Sequence, residues 1–220
     1  MKKIVFLLMA AIAAGAVSAQ KPFTFGPKVG INVTDLHPDG LDDVNNLAGT
    51  KPALVIGAFA EYRAAKWFAV SLDVLYSRQG SKAEITRGSS VGGEQSKLEF
   101  NNRLNYLNIP ILANFYVTNG LALKAGIQPG FLLSGKYRAK VNGGSWNTED
   151  TKHYFKSTDF AIPVGISYTF EQGLVIDARY NISVTDIATD EFKELYDAGD
   201  NERLNKATNR VFSLTVGWKF

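Results

Sequence analysis

Chemistry based on an imidazole would depend on His37 and His153, which are the two histidines of this 220-residue chain. His153 lies four residues before Ser157, and Asp150 and Asp159 are close to it in sequence. A hydroxyl nucleophile needs a base within hydrogen-bond reach, and a third group must orient that base. The spacing fixes no such geometry, and the absence of cysteine removes thiol nucleophiles and thiolate metal sites. We therefore expect two solvated loop histidines and no enzyme.

An acidic segment near the N-terminus offers oxygen atoms to a divalent cation. A calcium loop needs acidic residues at its first, third and fifth positions and glycine at the sixth, and this segment lacks that spacing. We expect a solvated loop, with no metal and no cofactor. The segment reads Asp35-Leu36-His37-Pro38-Asp39-Gly40-Leu41-Asp42-Asp43.

A second set of charged residues lies on the polar sides of alternating segments. A charge facing the middle of a lipid bilayer costs about 2–4 kcal/mol, so these side chains are expected to point into a barrel lumen. Four are positive and three are negative, which predicts a nearly neutral, cross-linked interior. An ion-conducting lumen is the alternative. The set comprises Lys28, Glu61, Asp73, Lys124, Asp177, Arg179 and Lys219.

These charges would be positioned by eight segments in which apolar and polar residues alternate. The clearest segment, 23–33, is apolar at every odd position over eleven residues, which suits a tilted strand that crosses a bilayer. The pattern predicts an all-β fold, an eight-stranded antiparallel up-and-down transmembrane β-barrel. The predicted strands are 23–33, 53–63, 68–77, 106–117, 121–131, 159–170, 174–183 and 211–220.

The connections alternate in length, which is a separate indication of the same fold. Strands two and three, four and five, and six and seven are joined by about three residues, and the other connections are several times longer. Short periplasmic turns and long extracellular loops are typical of outer-membrane barrels. Aromatic residues also cluster at the expected membrane interfaces. The periplasmic set is Phe23, Phe25, Tyr62, Trp67, Phe68, Tyr168, Phe170, Trp218 and Phe220, and the opposite set is Tyr76, Phe131, Tyr137 and Phe160.

The N-terminus has the pattern of an export signal. Lys2 and Lys3 precede an apolar stretch too short to span a bilayer as a helix, and Val17-Ser18-Ala19 supplies small residues for cleavage. We predict a signal peptide over 1–19 and a barrel domain over 20–220. Removing two lysines lowers the formal charge from +3 to about +1, which gives no electrostatic reason to expect nucleic acid.

The last predicted loop contains a helix signal. Thr189 suits the N-cap, Asp190 and Glu191 suit the first turn, and Gly199 suits the end. Its apolar face is expected to pack on the barrel mouth or to meet a partner. That face would carry Phe192, Leu195 and Tyr196.

Several segments together resemble the PorT-like outer-membrane β-barrel proteins, a group loosely described as a porin family. The resemblance covers almost the whole mature chain and implies fold and location rather than an activity. Some relatives assist a secretion system of the outer membrane. The terminal Trp218 and Phe220 look like the signal read by the barrel-insertion machinery. The similar segments are Phe25 to Asn32, Val70 to Gly80, Tyr106 to Pro110 and Ala178 to Asn181.

The sequence therefore predicts a monomeric protein of a Gram-negative outer membrane with a structural role or a binding role carried by its loops. Expected partners are outer-membrane lipid and lipopolysaccharide, the insertion machinery, and an envelope protein that meets the extracellular loops. The alternatives are a narrow porin, an accessory of a secretion system, and an envelope hydrolase. A soluble lipocalin-type barrel would instead have a hydrophobic lumen and a polar exterior.

Overall fold

The computed structural model describes residues 22–39, 49–50, 52–88, 95–197 and 206–220, and within them it contains twelve strands and one α-helix. The predicted signal peptide lies outside these residues. The helix is α1 (Asp190–Asp197), and a 3-10 turn covers Lys152–Tyr154. The strands are β1 (Phe23–Asp39), β2 (Gly49–Thr50), β3 (Pro52–Ala65), β4 (Phe68–Gln79), β5 (Ser81–Gly88), β6 (Gln95–Asn108), β7 (Ile111–Tyr116), β8 (Leu121–Val141), β9 (Asn147–Asp150), β10 (Thr158–Thr169), β11 (Leu174–Ser183) and β12 (Lys206–Trp218).

All strand pairings are antiparallel, which confirms the predicted all-β class. The order runs β10-β11-β12-β1-β3-β4-β7-β8, and β8 pairs in turn with β10. The pairing therefore returns to its starting strand, and backbone groups along this run find partners on both sides. β6 pairs with β4 and β8 beyond the end of β7, whereas β2, β5 and β9 extend the sheet at one end.

Several strands are longer than the sequence pattern predicts. Residues expected in the third and fifth predicted loops form β5, most of β6 and the far half of β8, and Leu98 still pairs with Val141. His37, which was predicted in a loop, lies in β1 because this strand is also longer than predicted. On the extension of β6 the alternation continues with its phase reversed, because Leu98, Phe100 and Leu104 lie on the inward side and polar residues lie on the outward side. The extension therefore does not continue the apolar-outward pattern by which the shorter strands are recognised.

The predicted fourth strand is interrupted at Ile109 and Pro110, between β6 and β7. Proline has no N–H to donate to a sheet. The neighbouring backbone groups remain paired, because Asp73 N–H donates to the Pro110 carbonyl at 3.0 Å and Ile109 N–H donates to the Pro129 carbonyl at 2.9 Å. The ring of strands therefore continues past the interruption.

The two faces of the ring differ as the alternation predicts. On β3, Leu54 and Ile56 are exposed whereas Val55 is buried, and on β4 Val74 is 46% exposed whereas Asp73 is 1% exposed. Aliphatic side chains thus cover the outside, and polar and charged side chains fill the inside. Among the described residues, no helix has the length and apolar character required to cross a membrane.

Candidate functional site: the charged lumen and the capped mouth

The outer surface carries an apolar belt, which we define as the outward-facing large hydrophobic residues on the ring of strands. Near the chain termini it ends in aromatic contacts, such as Phe25 with Phe220 at 6.1 Å between ring centroids, and Phe68 with Phe115 at 5.4 Å. On the other side it ends near Phe131 and Phe160, which are 42% and 49% exposed. The aromatic set predicted for the opposite interface includes Tyr137, and at this residue the prediction is wrong. Tyr137 lies beyond the belt, on the inward side of β8.

The centre of the lumen contains five ionised side chains, each buried. Asp73 accepts from Lys28 Nζ at 2.8 Å and from Arg179 Nη2. Asp177 accepts from Lys124 Nζ at 2.7 Å, from Arg179 Nε at 2.6 Å and from Lys28 Nζ at 3.4 Å. Four different strands supply these residues, so the network holds opposite walls of the lumen together. We call it the central network.

A second ionic group lies nearer the chain termini. Glu61 accepts from Lys219 Nζ at 2.6 Å, from the Tyr116 hydroxyl at 2.7 Å and from Asn114 Nδ2 at 3.1 Å. Arg63 lies over the ring of Tyr116, with 3.6 Å from its guanidinium carbon to the ring centroid. The structure thus places all seven predicted lumen charges inside, in two groups rather than one.

The charges within the lumen are closely balanced. The central network sets three cations against two carboxylates, and Glu61 with Lys219 forms a neutral pair. Asp159, on the predicted polar face but absent from the predicted set, is buried and accepts from the hydroxyls of Ser183 and Thr185. With Asp159 and Arg63 included, five positive charges face four negative ones.

The space around the central network is small. A cavity of about 10 Å³ lies on the side of Glu61 and Ser71, and another of about 10 Å³ lies on the side of Asn32 and Gln128. Each volume is close to that of a single water-sized probe. The ion pairs therefore lie between two water-sized spaces.

A hydrophobic cluster lies at the opposite end, and sequence reasoning did not find it. Its members come from β6, β8, β12, the segment after the 3-10 turn and the segment before α1, which are remote in sequence, so no local pattern marks the cluster as a whole. We call it the mouth cluster. It consists of buried Leu104, Tyr106, Leu132, Phe155, Ile187, Ala188 and Ala207.

The helix α1 packs against this cluster. Phe192 contacts Phe155 with ring centroids 5.4 Å apart, and Thr189 caps the helix by accepting from Phe192 N–H at 3.4 Å. The predicted N-cap of the helix is confirmed. The predicted packing of the helix on the barrel mouth is confirmed for Phe192. The side chains of Leu195 and Tyr196 lie outside the described residues.

Asp186 joins the segment before α1 to the barrel. Its carboxylate accepts from the backbone N–H of Ala207 at 3.0 Å and of Ala188 at 3.2 Å, and it forms an ion pair with Lys193 at 2.6 Å. Partial burial alone would raise the pKa of Asp186, but hydrogen bonds from Lys193 and the two amides outweigh it and hold the pKa below its usual value.

The candidate catalytic residues are not brought together. His153 is exposed in the 3-10 turn and contacts the ring of Tyr154. The carboxylate of Asp159 instead accepts hydrogen bonds from the hydroxyls of Ser183 and Thr185. Asp150 accepts the backbone N–H of Lys152. The side chain of His37 and those of the acidic segment 35–43 lie outside the described residues. Within the described part of the chain, no group of histidine and carboxylate residues is arranged to hold a metal ion.

A closed antiparallel ring with an aliphatic exterior and an ionic interior is the design of a membrane β-barrel. The chain matches the family model of the outer membrane protein beta-barrel domain over residues 18–189, and it belongs to this family. A search of curated proteins gave no match.

Three solved structures are similar to this chain. Ail, the attachment invasion locus protein of Yersinia pestis, solved with the heparin analogue sucrose octasulfate, is 14% identical with a TM-score of 0.47, over 90% of this chain and 99% of that chain. Neisserial surface protein A is 14% identical with a TM-score of 0.45, over 92% and 100%. The outer membrane protein OprG from Pseudomonas aeruginosa is 13% identical with a TM-score of 0.35, over 90% and 95%.

Proposed function

We propose that this protein is an eight-stranded barrel of a Gram-negative outer membrane that does not conduct and serves a structural or loop-mediated binding role. The count takes β6 and β7 together as one strand of the ring. A lipid-facing sheet must pair all its backbone groups within the protein, and a closed ring does so. The predicted signal peptide, insertion signal and kinship to PorT-like proteins are part of this proposal.

The observation that carries the proposal is the state of the lumen. Asp73 and Asp177 are each about 1% exposed and are bonded to cations from other strands, so the central network fills the middle of the ring. Eight strands leave an interior just wide enough for side chains to occupy. The mouth cluster is a second barrier at the opposite end. A solute would have to displace both.

The proposal is tested by recording from planar bilayers containing the purified protein. The expected result is no stable conductance, with insertion checked by protection of the barrel from protease. A reproducible single-channel conductance of wild-type protein would support the narrow porin instead. An activity on lipid A or peptide that is lost in His153→Ala would support the envelope hydrolase.

The binding role is tested in intact envelopes. A photo-crosslinker placed in the loop over 142–157 is expected to capture a defined envelope component. The matched control places the same crosslinker at Lys66, in the turn at the other end of the ring. Capture of the same neighbours from both positions, or capture of none, would contradict a role carried by the loops. Recovery of secretion-system components from the loop position alone would support the accessory role.

A further inference from the structure

Cationic side chains lie on the outer wall just beyond the apolar belt. On β4 the outward residues Val74 and Tyr76 are followed by Arg78, and on β8 Phe131 and Leu133 are followed at the next outward positions by Lys136 and Arg138. On β6, which lies between these strands, the corresponding residue is Arg103. We call Arg78, Arg103, Lys136 and Arg138 the cationic patch.

The register of the strands brings these four residues onto one surface. Arg103 is paired directly with Lys136, and Arg78 is paired with Asn105, the preceding outward residue of β6. Arg138 is paired with Asn101, the next outward position along β6. Residues paired across neighbouring strands share a face, so the four cations lie on one face and span the positions 101–105 of β6.

Among the described residues, carboxylates form no ion pair with this patch. Glu99 pairs with Lys140 at 3.1 Å and with Lys97 at 3.7 Å, and neither lysine belongs to the patch. Asp150 lies opposite Lys136 in register, but its carboxylate accepts a backbone N–H instead. No ion pair of the described residues involves any of the four patch cations.

The arginines also act on one another. Arg103 lies beyond the belt, and partial burial followed by the charges of Arg138 and Arg78 lowers its pKa. Like charges held close together without a carboxylate repel one another, and a bound anion would remove that repulsion.

A cavity of about 120 Å³ gives the patch a shaped site. It lies where β3, β4 and β6 leave the belt, and its walls combine apolar and cationic groups. Leu54, 45% exposed, belongs to the belt, so the cavity spans the boundary between the two surfaces. The lining includes Pro52, Leu54, Arg78, Gly80, Asn102 and Arg103.

Glycine is required at one wall of this cavity. Gly80 has φ of +139°, and a Cβ atom there would lie 2.0 Å from the Asn102 carbonyl oxygen. The chain bends at this point from β4 into β5, and the bend lies beside Arg78. Two guanidinium groups beside an apolar wall can bind a phosphate through several charge-assisted hydrogen bonds.

The patch occupies one side of the barrel. At the same end of β10 and β11, the outward residues beyond Phe160 and Ile182 are Thr158 and Val184, which carry no charge. On β12 the outward residue beyond Phe212 is a single cation, Arg210, which is paired with Ile182. A general attraction to an anionic surface would not need the arginines to be concentrated beside one cavity.

We propose that the cationic patch binds the phosphate groups of a phosphorylated glycolipid in the outer leaflet of the membrane. This inference rests on the proposed function, because it requires the belt to be embedded in lipid. A headgroup phosphate lies directly above the acyl chains, and Arg78 is the outward residue that follows Val74 and Tyr76 along β4 where the belt ends. A soluble polyanion would gain nothing from the apolar wall of the cavity.

The test uses full-length protein in phosphatidylcholine vesicles that contain traces of lipid A, either phosphorylated or with its phosphates removed. Lipid retained by the protein is counted by native mass spectrometry over a range of lipid A content. Wild-type protein is expected to retain the phosphorylated form preferentially. Arg103→Gln should weaken that retention about tenfold or more, and Arg103→Lys should weaken it less.

The matched control is Lys66→Gln, which removes one positive charge from the exposed turn at the opposite end of the ring. It should retain phosphorylated lipid A like wild type. Arg78→Gln serves as a second patch variant if Arg103→Gln fails to fold. A loss in Lys66→Gln equal to that in Arg103→Gln, equal retention of both lipid forms, or preference for a soluble sulfated oligosaccharide would each overturn the inference.

Flotation of the vesicles distinguishes this inference from the proposed function. Wild-type protein that does not float with the vesicles contradicts the membrane barrel itself. Protein that floats but retains both forms of lipid A equally leaves the barrel standing and refutes the lipid site alone.

Discussion

The central network predicts that replacing an acidic member costs more stability than replacing a basic member. In the Asp177→Asn variant, Lys28, Lys124 and Arg179 would face only the carboxylate of Asp73, so the excess of positive charge would rise from one to two. Removing one member of a buried ion pair costs about 3–5 kcal/mol, because the partner charge remains buried. We expect Asp177→Asn to lower the free energy of unfolding by about this amount.

Lys124→Met should behave differently, although it also removes an ion pair. The only hydrogen bond of the Lys124 ammonium among the described residues is to Asp177, and Asp177 keeps Arg179 and Lys28 when Lys124 is replaced. The central network would then hold two cations and two carboxylates. Removing one member of a buried ion pair is costly when its partner is left uncompensated, and Asp177 would still have two cationic partners, so we expect a change below about 1 kcal/mol.

Both variants are compared by urea unfolding in lipid vesicles, followed by tryptophan fluorescence. The double variant Asp177→Asn with Lys124→Met should regain part of the stability lost in Asp177→Asn, because it restores an excess of one positive charge. Equal losses in the two single variants, or a double variant less stable than Asp177→Asn, would refute the idea that charge balance governs this lumen.

Three further predictions concern the outer face, a strand junction and the mouth. Val74→Lys places a charge on the belt and should cost about 2–4 kcal/mol in the same unfolding assay, with Val74→Leu as the control. Gly80→Ala should lower stability by about 1–3 kcal/mol, measured by the urea midpoint, because its φ of +139° is strained for alanine and its Cβ would meet Asn102. The lowered pKa of Asp186 means that its contribution to mouth stability is full above its ordinary pKa and is lost as pH falls through its folded pKa. Amide exchange at Ala207, measured by NMR, should therefore accelerate on acidification in wild type, whereas Asp186→Asn should show little of this pH dependence.

The sequence shows which side chains face lipid and which face the lumen. Successive side chains of a strand point to opposite faces, and lipid and the lumen favour different residue types. Asp73 and Val74 are neighbours in the chain, and the alternation alone predicts that one faces the lumen and the other faces lipid. The same reasoning places Lys28 and Arg179 inside. It fails beyond the belt, where the phase reverses and apolar residues such as Leu104 lie inside, and so the extensions of β6 and β8 were mistaken for loops.

Only the tertiary structure determines which charged side chains pair with one another in the lumen. Glu61 bonds Lys219 across 158 residues of sequence, and Lys28 reaches Asp177 across 149. Which charges meet depends on the stagger of the strands around the ring, and no local pattern encodes that stagger. The mouth cluster and the cationic patch depend on it as well, because each collects residues from separate strands. The sequence by itself determined which way each side chain of the belt and lumen points, since that follows from the pleat, and only the closed ring determined what each one touches.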